Sequence, residues 1–540
     1  MRESSTTATI NGPLEPQEGF LSSQRWVSPL TAALMVVGLV SRLLPLTEPH
    51  GRLLRQFMTE DGYLMQGIAR NIALGHGLTV SDGTIQTNGT QPLAAFLFAA
   101  LHYLAGADKI LGIAYVEAFS AVVSLAAAWF FYALARKLLR GHPDGRPLAM
   151  LVASLWFASP LIVKHSMNGL ETGLYLLVSL ATLDLFAGFI EDNPYQFSPR
   201  QMVALGAMFG LCFLIRNDAA FLIAAALVAR IVLLWPKSAR LWRYRIVEAA
   251  IPGLISLGIA MPWLVYNYRL FGSIMPISGI AEALDVKRGE NLIYLPAKLL
   301  EFVTVVVPIP SLLETRTLMI VLAVAVIAAA LVLAGKTLWS SSTAAPFVLL
   351  TYGIFGILLI LFYGIYFGVP YFLSRYFSVL SPALALVGIT AAYRLLMLMR
   401  NDVRQMVVLP IACLIGLFVV ALNGVLYRNG MWHQHFQVVD WVEAHVPPQT
   451  WVGAVQTGTL GYFHDRTINL DGKVNPEALR ARLTEGGVIP YVVRSKIEYL
   501  ADWVGLATWA QIKEDGFNQK FKLIVNDKNA NLAVFQRVGS

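Results

Sequence analysis

The chain has 540 residues, of which 56% are hydrophobic and only 14% are charged. A soluble domain uses about 25% charged residues, so this composition excludes a soluble globular protein and indicates an integral membrane protein. The net charge of +8 does not indicate nucleic-acid binding, because Lys and Arg fall mainly in short loops between apolar runs, as membrane topology requires. The two cysteines, Cys212 and Cys413, both lie in apolar runs, which excludes a disulfide framework and a Cys-x-x-Cys metal site.

The N-terminal segment, residues 1–25, is rich in Ser, Thr, Pro and Glu, a composition typical of a short disordered tail. The first apolar run begins beyond this tail and has no small-residue cleavage pattern. The sequence therefore predicts an uncleaved membrane anchor rather than a signal peptide.

Residues 26–427 carry a series of apolar runs that predict a helical membrane domain. Each span needs about 20 apolar residues to cross the hydrocarbon core of a bilayer. By this criterion the sequence predicts an α-helical polytopic membrane protein with about 11 transmembrane helices. The predicted spans are residues 27–47, 110–135, 148–165, 170–190, 202–216, 219–235, 246–266, 317–335, 345–367, 377–398 and 406–427.

Clusters of Lys and Arg in short loops mark the cytoplasmic face of a membrane protein. Such clusters follow the second, sixth and tenth predicted spans, in ARKLLRGHPDGR, PKSARLWRYR and YRLLMLMRNDVR. The N-terminal tail is therefore predicted to be cytoplasmic and the first outer loop, residues 48–109, to be extracytoplasmic. Residues 92–106 and 298–313 suit helices that lie in the outer interface. If either one crosses the membrane, the C-terminus changes sides.

From residue 428 to residue 540 the sequence becomes polar and mixed. It contains the short β-rich runs WVGAV, RTINL, FKLIV and LAVF and the helical stretch HFQVVDWVEAHV. This pattern predicts a small C-terminal α/β domain. The basic loops place that domain on the extracytoplasmic side of an inner or plasma membrane.

Two adjacent carboxylates, Glu60 and Asp61, stand in the stretch FMTEDGYLMQGIARN, where a helix is predicted to begin on the outer surface. Acids at a helix N-terminus offset the helix dipole by about 0.3–1 kcal/mol, which is one sufficient reason for them. The other reason is chemical, since a carboxylate at the membrane edge can act as a general base toward an acceptor hydroxyl. The residues alone leave both explanations open.

Four basic residues are predicted to lie at the outer ends of spans: Lys164, Arg216, Arg269 and Arg375. An Arg guanidinium can donate two hydrogen bonds to one phosphate. A charge at the membrane edge is unfavourable without a partner. The alternatives are interfacial anchoring of the side chain and structural ion pairs with Glu171 or Asp218. Glu171, at the head of a predicted span, is either an active-site acid or a helix cap.

The stretch EDGYLMQGIARNIALGHGLTVSDGTIQTNGTQPL resembles the first outer loop of a bacterial group within the GT-C class of membrane glycosyltransferases. In that group the pattern runs DDAY, then RNLAxGxGL, then a TSPL-like ending, and the group includes arabinofuranosyltransferase-like proteins of the mycobacterial envelope. Further similar motifs follow in the same order: MNGLETGLY, LIRNDAA, NYRLFGSIMP and SRYFSVLSPALAL. The stretch VVDWVEAHVPPQTWVGAVQTGTLGYFHDRTINLDGKVNP also resembles the outer domain of the group. The resemblance thus covers nearly the whole chain.

This resemblance implies an enzyme that takes a sugar from a polyprenyl-phosphate carrier and passes it, with inversion, to an extracytoplasmic hydroxyl of a lipid, glycan or protein. It implies that Asp61 is the base, with Glu60 as its neighbour or a metal contact, and that Glu171 is a second active-site acid. Glu60 departs from the pattern, because it replaces the first Asp of DDAY. This leaves open which of the two acids is the base.

For the donor phosphate, the resemblance favours Arg375 and Arg269, which lie in family-like motifs, ahead of Arg216 and Lys164. The short loop after Arg216 departs from the pattern, since Asn217 and Asp218 replace a Pro-Glu pair. The role of that loop is therefore open.

No cofactor is required by these motifs, although the carboxylates can hold a divalent cation, as in some members of the class. His76, His165 and His464 lack metal-ligand spacing. The expected partners are the lipid-linked donor, the acceptor and membrane lipids, and the sequence does not select the sugar. Two alternatives remain: a transporter or flippase of lipid-linked sugars, and a non-catalytic assembly factor of the cell envelope.

Overall fold

A computed structural model of the protein describes residues 19–48, 50–236, 238–430, 435–513 and 516–539. Most of the predicted tail, residues 1–25, lies outside the described residues. Its described end, residues 19–25, departs from the prediction of disorder, because it forms turns that pack on the membrane domain. The backbone N–H of Ser22 donates to Oδ1 of Asp144 at 2.9 Å.

Long apolar helices dominate the structure, which confirms the prediction of a helical membrane protein. One apolar segment is bent by 62° between two helices, Gly145–Ala158 and Pro160–Ser166. The break falls at Pro160, because a proline lacks the N–H that would continue the helix. In the described part of the chain, the eight helices long and apolar enough to cross a membrane are Val27–Thr47, Lys109–Leu138, Thr172–Asp192, Ala239–Phe271, Thr317–Trp339, Ala345–Tyr366, Pro370–Leu398 and Asn401–Asn429.

Three shorter apolar helices, Pro92–Leu104, Pro199–Ile215 and Ala219–Leu233, have 13, 17 and 15 residues. At 1.5 Å per residue their lengths are about 20–26 Å, less than the ~30 Å of a hydrocarbon core. Every predicted span coincides with helical structure, but two of them coincide with helices of this shorter kind. The count of about eleven spans therefore stays a prediction.

Close helix contacts rest on small residues in the membrane domain. Gly206 and Gly210, four residues apart on helix Pro199–Ile215, face helix Ala239–Phe271, and a Cβ on either would lie within 3 Å of Ile255 or Ile259. Lipid tails are as apolar as Leu, so helices in a membrane are held by such close packing rather than by the hydrophobic effect.

The first outer loop begins with helix His50–Gln56 and continues into helix Glu60–Ala73, named here the first outer helix. Strands β1 (Thr79–Val80) and β2 (Ile85–Gln86) form an antiparallel hairpin after it. The segment predicted at residues 298–313 is broken into two helices. Between the long helices Ala239–Phe271 and Thr317–Trp339 lie the short helices Ile277–Leu284, Glu290–Ile293, Leu295–Thr304 and Ser311–Glu314.

The C-terminal α/β domain is confirmed, with a five-stranded sheet in the order β4-β3-β5-β7-β6. β3 runs parallel to β4 and β5, whereas β7 is antiparallel to β5 and β6. The strands are β3 (Val452–Ala454), β4 (Thr467–Asn469), β5 (Tyr499–Asp502), β6 (Phe521–Asp527) and β7 (Leu532–Arg537). The helices around them are Phe436–His445, Gly458–Phe463, Pro476–Thr484, Ile489–Arg494, Val504–Gln511 and Phe517–Lys520.

The parallel strands of this domain decide which loops meet the membrane domain. Because β3 and β4 are parallel, the loops after their carboxyl ends leave the sheet at the same edge. These loops are residues 455–457 and 470–475. Gly458, directly after the first loop, contacts Glu60, and Lys473, in the second loop, contacts Gly89. Side chains on the two loops can therefore reach one site.

Candidate active site

A cavity of about 380 Å³ lies where the first outer helix, the membrane domain and the α/β domain meet. It combines several charges with an apolar wall, which is the usual composition of a ligand-binding or catalytic site. The charged residues that line it are Asp61, Glu171, Arg216, Asp218, Glu282, Arg375 and Lys473.

Asp61 lies in the first turn of the first outer helix, which Thr59 caps by accepting a hydrogen bond from Gly62 N at 3.0 Å. Its Oδ2 accepts a hydrogen bond from Nη1 of Arg375 at 2.9 Å. Burial alone raises the pKa of Asp61, but the positive charges of Arg375 and Lys473 outweigh burial, so the pKa lies below its ordinary value. Asp61 is therefore ionised at neutral pH, the state that a general base requires.

Arg375 lies on the short helix Leu373–Phe377 with its guanidinium 4.4 Å from the ring centre of Phe372 and 5.3 Å from that of Tyr376. Aromatic faces attract a cation, so the two rings fix the guanidinium against the cavity wall. Its Nε is buried and makes no hydrogen bond to any described residue. Arg375 thus retains a donor for an anion while it holds Asp61.

Arg216 is committed to neighbouring side chains. Its Nε donates to Oδ2 of Asp218 at 2.9 Å, and its Nη1 pairs with Oε1 of Glu171 at 3.4 Å. Tyr363 completes the network, since its hydroxyl donates to Asp218 at 2.7 Å. Glu171 stands at the N-cap position of its helix but makes no capping hydrogen bond. These contacts are the ion pairs that the sequence raised as the alternative, and phosphate binding by Arg216 stays a prediction.

Glu60 turns away from the cavity and joins the two domains. Its carboxylate accepts hydrogen bonds from the backbone N–H of Gly458, from Thr459 N at 3.1 Å and from Thr459 Oγ1 at 2.5 Å. Gly458 packs so closely that a Cβ there would overlap the Glu60 carbonyl group. This geometry separates the adjacent acids, because Asp61 lines the cavity and Glu60 fastens the α/β domain to the first outer helix.

The structure does not bring Lys164 or Arg269 to the cavity. Lys164 is half-buried beside the charges of Lys298 and Glu301. Arg269 is exposed in the last turn of helix Ala239–Phe271. A direct contact of either side chain with a ligand in the cavity would require rearrangement, and their predicted role in phosphate binding has no support in this geometry.

Lys473 lines the cavity although nothing in the sequence singled it out. It extends from the loop after β4 and forms an ion pair with Glu282, at 3.1 Å between Nζ and Oε2. Burial lowers the pKa of Lys473, but the negative charges of Asp61, Asp471 and Glu282 outweigh burial and raise it above its ordinary value. In the sequence Lys473 stands in the stretch LDGKVNP, four positions after the last residue of the short buried strand Thr467–Asn469, and this position alone does not distinguish it from a solvated lysine.

Several buried polar atoms of the cavity make no hydrogen bond to any described residue. Buried polar groups are nearly always hydrogen-bonded, so such atoms mark places where a ligand group or water fits. Most of them are oxygen acceptors, which suit the hydroxyl groups of a sugar. Besides Arg375 Nε, they are Thr90 Oγ1, Gln91 Oε1, Asn217 Oδ1, Asp218 Oδ1 and Glu282 Oε1.

One part of the cavity lining is apolar and largely aromatic. It is formed where a helix ends in the π-helical turn Phe362–Tyr366, a geometry that is rare and frequent at functional sites. The rings of Phe362 and Phe367 stack there at 5.2 Å. Phe221, Met275, Phe362, Phe367 and Phe372 line this wall.

No group of three or more His, Cys, Asp and Glu residues is arranged to hold a metal ion in the part of the chain that the structure describes. Asp61 has a guanidinium rather than a second carboxylate as its direct partner.

The chain has the GT-C fold, which it shares with solved membrane glycosyltransferases. Residues 89–266 match the family described as dolichyl-phosphate-mannose-protein mannosyltransferase. Residues 427–535 match a domain of unknown function, DUF8728. No curated protein sequence matches the chain.

Three solved structures illustrate the likeness. ArnT from Cupriavidus metallidurans bound to undecaprenyl phosphate has a TM-score of 0.60 and 15% identity, and the match covers 96% of this chain and 99% of ArnT. The archaeal oligosaccharyltransferase AglB from Archaeoglobus fulgidus, in complex with an inhibitory peptide and a dolichol-phosphate, has a TM-score of 0.53 and 13% identity. That match covers 90% of this chain and 70% of AglB. An Archaeoglobus fulgidus oligosaccharyltransferase structure with Zn and sulfate gives a TM-score of 0.54 at 14% identity, over 91% of this chain and 71% of that one.

Proposed function

We propose that the protein is a glycosyltransferase that moves a sugar from a polyprenyl-phosphate donor to an extracytoplasmic acceptor hydroxyl, with inversion. The observation that carries the proposal is the pair of Asp61 and Arg375, at 2.9 Å, in a cavity with an apolar wall. The reaction needs a base for the acceptor, a cation for the leaving phosphate and an apolar surface for the prenyl chain. The cavity contains a group for each.

In this reaction the acceptor oxygen forms a bond to the anomeric carbon while the bond from that carbon to the phosphate oxygen breaks. The electrons of the broken bond stay on the phosphate, and the hydroxyl proton passes to Asp61. Arg375 stabilises the charge that grows on the leaving group. A single displacement of this kind inverts the anomeric carbon.

The unpartnered oxygen acceptors of the cavity support a sugar as the transferred group. Asp218 and Glu282 are acceptors when ionised, and Asn217 adds an amide oxygen. Hydroxyl groups of a bound sugar would satisfy these atoms, whereas an apolar ligand would leave them unpaired, at about 1–3 kcal/mol for each group.

The proposed orientation puts the cavity and the α/β domain outside the cytoplasm, in the inner or plasma membrane. It follows from the basic loops, because ARKLLRGHPDGR and PKSARLWRYR lie at the opposite ends of their spans from the first outer loop.

The test is an assay of the purified protein in liposomes with a panel of radiolabelled polyprenyl-phosphate sugars and an extract of envelope lipids and glycans as acceptors. We expect transfer of one sugar class, and loss of transfer in Asp61→Asn. An arm with EDTA measures any dependence on a divalent cation. Movement of labelled donor across the bilayer without transfer would support the transporter instead. Absence of both transfer and movement would support the assembly factor.

A further inference from the structure

Lys473 is the part of the α/β domain that enters the cavity. Its Nζ lies 5.4 Å from the ring centre of Phe372, the ring that also faces Arg375 at 4.4 Å. The positive charges of Lys473 and Arg375 both act on Asp61. Two cations therefore flank one carboxylate at the same aromatic ring.

The backbone around Lys473 is built to hold this position. Gly472 has a φ of +83°, a left-handed conformation that suits glycine, and its N–H donates to Oδ1 of Asn469 at 3.0 Å. Nδ2 of Asn475 donates to the Asn469 carbonyl at 2.9 Å and closes the loop on the other side. The Lys473 carbonyl packs against Gly89 so closely that a Cβ at residue 89 would overlap it.

We propose that Lys473 is a donor-binding residue: together with Arg375 it binds the phosphate of the polyprenyl-phosphate donor, and Glu282 holds its ammonium group when the donor is absent. This inference rests on the proposed function. It makes the α/β domain a part of the donor site and not only a cover over it.

The charges of the cavity favour this assignment over other uses of Lys473. Arg216 is occupied by two carboxylates, so Arg375 and Lys473 are the cations of the cavity with a single carboxylate partner each among the described residues. A leaving phosphate gains negative charge as its bond to the sugar breaks, and two cations at one ring can share it. The Lys ammonium is a compact charge on a flexible side chain, whereas the planar Arg guanidinium donates hydrogen bonds in a fixed geometry.

The competing explanation is that the ion pair of Lys473 with Glu282 only docks the α/β domain. The two explanations differ for Glu282→Gln. Docking requires both partners, so Glu282→Gln and Lys473→Met should then have the same effect. Donor binding requires only the lysine, so Glu282→Gln should leave it free to bind phosphate.

The experiment measures binding of undecaprenyl phosphate to the full-length protein in lipid nanodiscs by native mass spectrometry. A hydrogen bond to a charged group contributes about 1.5–3 kcal/mol, so Lys473→Met should weaken binding by about tenfold or more. Lys473→Arg should bind within about threefold of the unmodified protein, and Glu282→Gln as tightly or more tightly.

A matched control comes from the same interface. Arg482 of the α/β domain pairs with Asp285 at 2.7 Å, three residues beyond Glu282 and outside the cavity. Asp285→Asn removes a docking ion pair without removing a cavity charge, and its binding should be unchanged.

Two results would overturn the inference while leaving the proposed function intact: undiminished binding by Lys473→Met, or equal weakening in Glu282→Gln and Lys473→Met. If Lys473→Met does not fold, Glu282→Gln still decides, because weakened binding there contradicts the inference and unchanged or tighter binding supports it. Absence of binding by the unmodified protein would overturn the donor class and the inference together.

Discussion

Asp61 and Glu60 are neighbours in the chain, but their carboxylates point to different structures. Asp61 meets Arg375 in the cavity, and Glu60 meets the backbone of Gly458 and Thr459 in the α/β domain. A helix explains the divergence, because successive side chains are about 100° apart around its axis and adjacent residues do not face each other.

The first prediction compares these two acids. Asp61→Asn keeps the shape of the side chain but cannot take the hydroxyl proton, so transfer should fall by at least about 10²-fold. The variant should stay folded. Glu60→Gln should lower the melting temperature, since it weakens a contact between domains, and should reduce transfer less. Turnover and thermal unfolding of both variants measure this, and full activity of Asp61→Asn would remove it as the base.

The second prediction concerns pH. Asp61 acts as a base only when ionised, which holds above its pKa, and the nearby cations keep that pKa below its ordinary value. Transfer by the unmodified protein should therefore show no loss from this group between about pH 5 and 8, because an ordinary Asp already titrates near 3.9. Arg375→Met removes a positive charge, so the pKa of Asp61 should rise and the acid limb should move to higher pH.

Arg375→Lys is the control for that profile, because it keeps the charge but loses the planar fork. Its acid limb should stay near that of the unmodified protein, while its turnover should fall between those of the unmodified protein and the Met variant. If Arg375→Met shifts neither turnover nor the acid limb, Arg375 is an interfacial anchor and not part of the site.

At the scale of elements, the short helix Gly458–Phe463 is the joint between the α/β domain and the first outer helix. Gly458→Ala should separate these elements, because its Cβ would overlap the Glu60 carbonyl, and overpacking typically costs about 1–3 kcal/mol. We expect faster proteolysis of the α/β domain and lower transfer.

Gly461→Ala on the same helix is the matched control. There the nearest atom to an added Cβ is the Cβ of Thr467 at 3.7 Å, an ordinary contact. Limited proteolysis and turnover of the two variants separate a specific clash from a general effect of alanine in this helix. Equal behaviour of both variants would contradict the assigned joint.

Local patterns predicted the elements well, because a span or a strand leaves its mark within a few residues. The apolar runs predicted every long helix, and Glu60 with Asp61 predicted the start of the first outer helix. The residue pairs that form the cavity and hold the domains together leave no such local pattern in the sequence. Asp61 and Arg375 are 314 positions apart and Glu60 and Gly458 are 398 apart, so only folding reveals that they meet.

The same limit explains why the sequence ranks the cations differently from the geometry of the cavity. Arg269 and Lys164 were predicted from their position at span ends, but the direction of a side chain around its helix decides whether it reaches the cavity. Lys473 has no local signal in the sequence, because a single lysine in a polar domain resembles any solvated residue. Its place in the cavity follows from the fold, because the parallel strands β3 and β4 put the loops that follow them at the same edge of the sheet.

At the scale of the whole molecule, a further prediction concerns the orientation of the protein in the membrane. Asn529 in the turn between β6 and β7 and Ser238 in a basic loop are both exposed. Single cysteines at these positions, in a background with Cys212 and Cys413 replaced by alanine, should react differently with an impermeant thiol reagent. In intact cells Asn529→Cys should be labelled, and Ser238→Cys only after the membrane is permeabilised. The reverse pattern would place the cavity in the cytoplasm.

The lysine that enters the cavity from the α/β domain has a consequence for the order of synthesis. The membrane helices and Arg375 leave the ribosome before residue 473 does, so a nascent chain can insert its spans while the cavity still lacks one wall. About 100 residues separate Arg375 from Lys473, which at about 5–20 residues per second is a delay of roughly 5–20 s. During this interval the growing protein has no complete cavity, and the time of translation sets when the finished site appears.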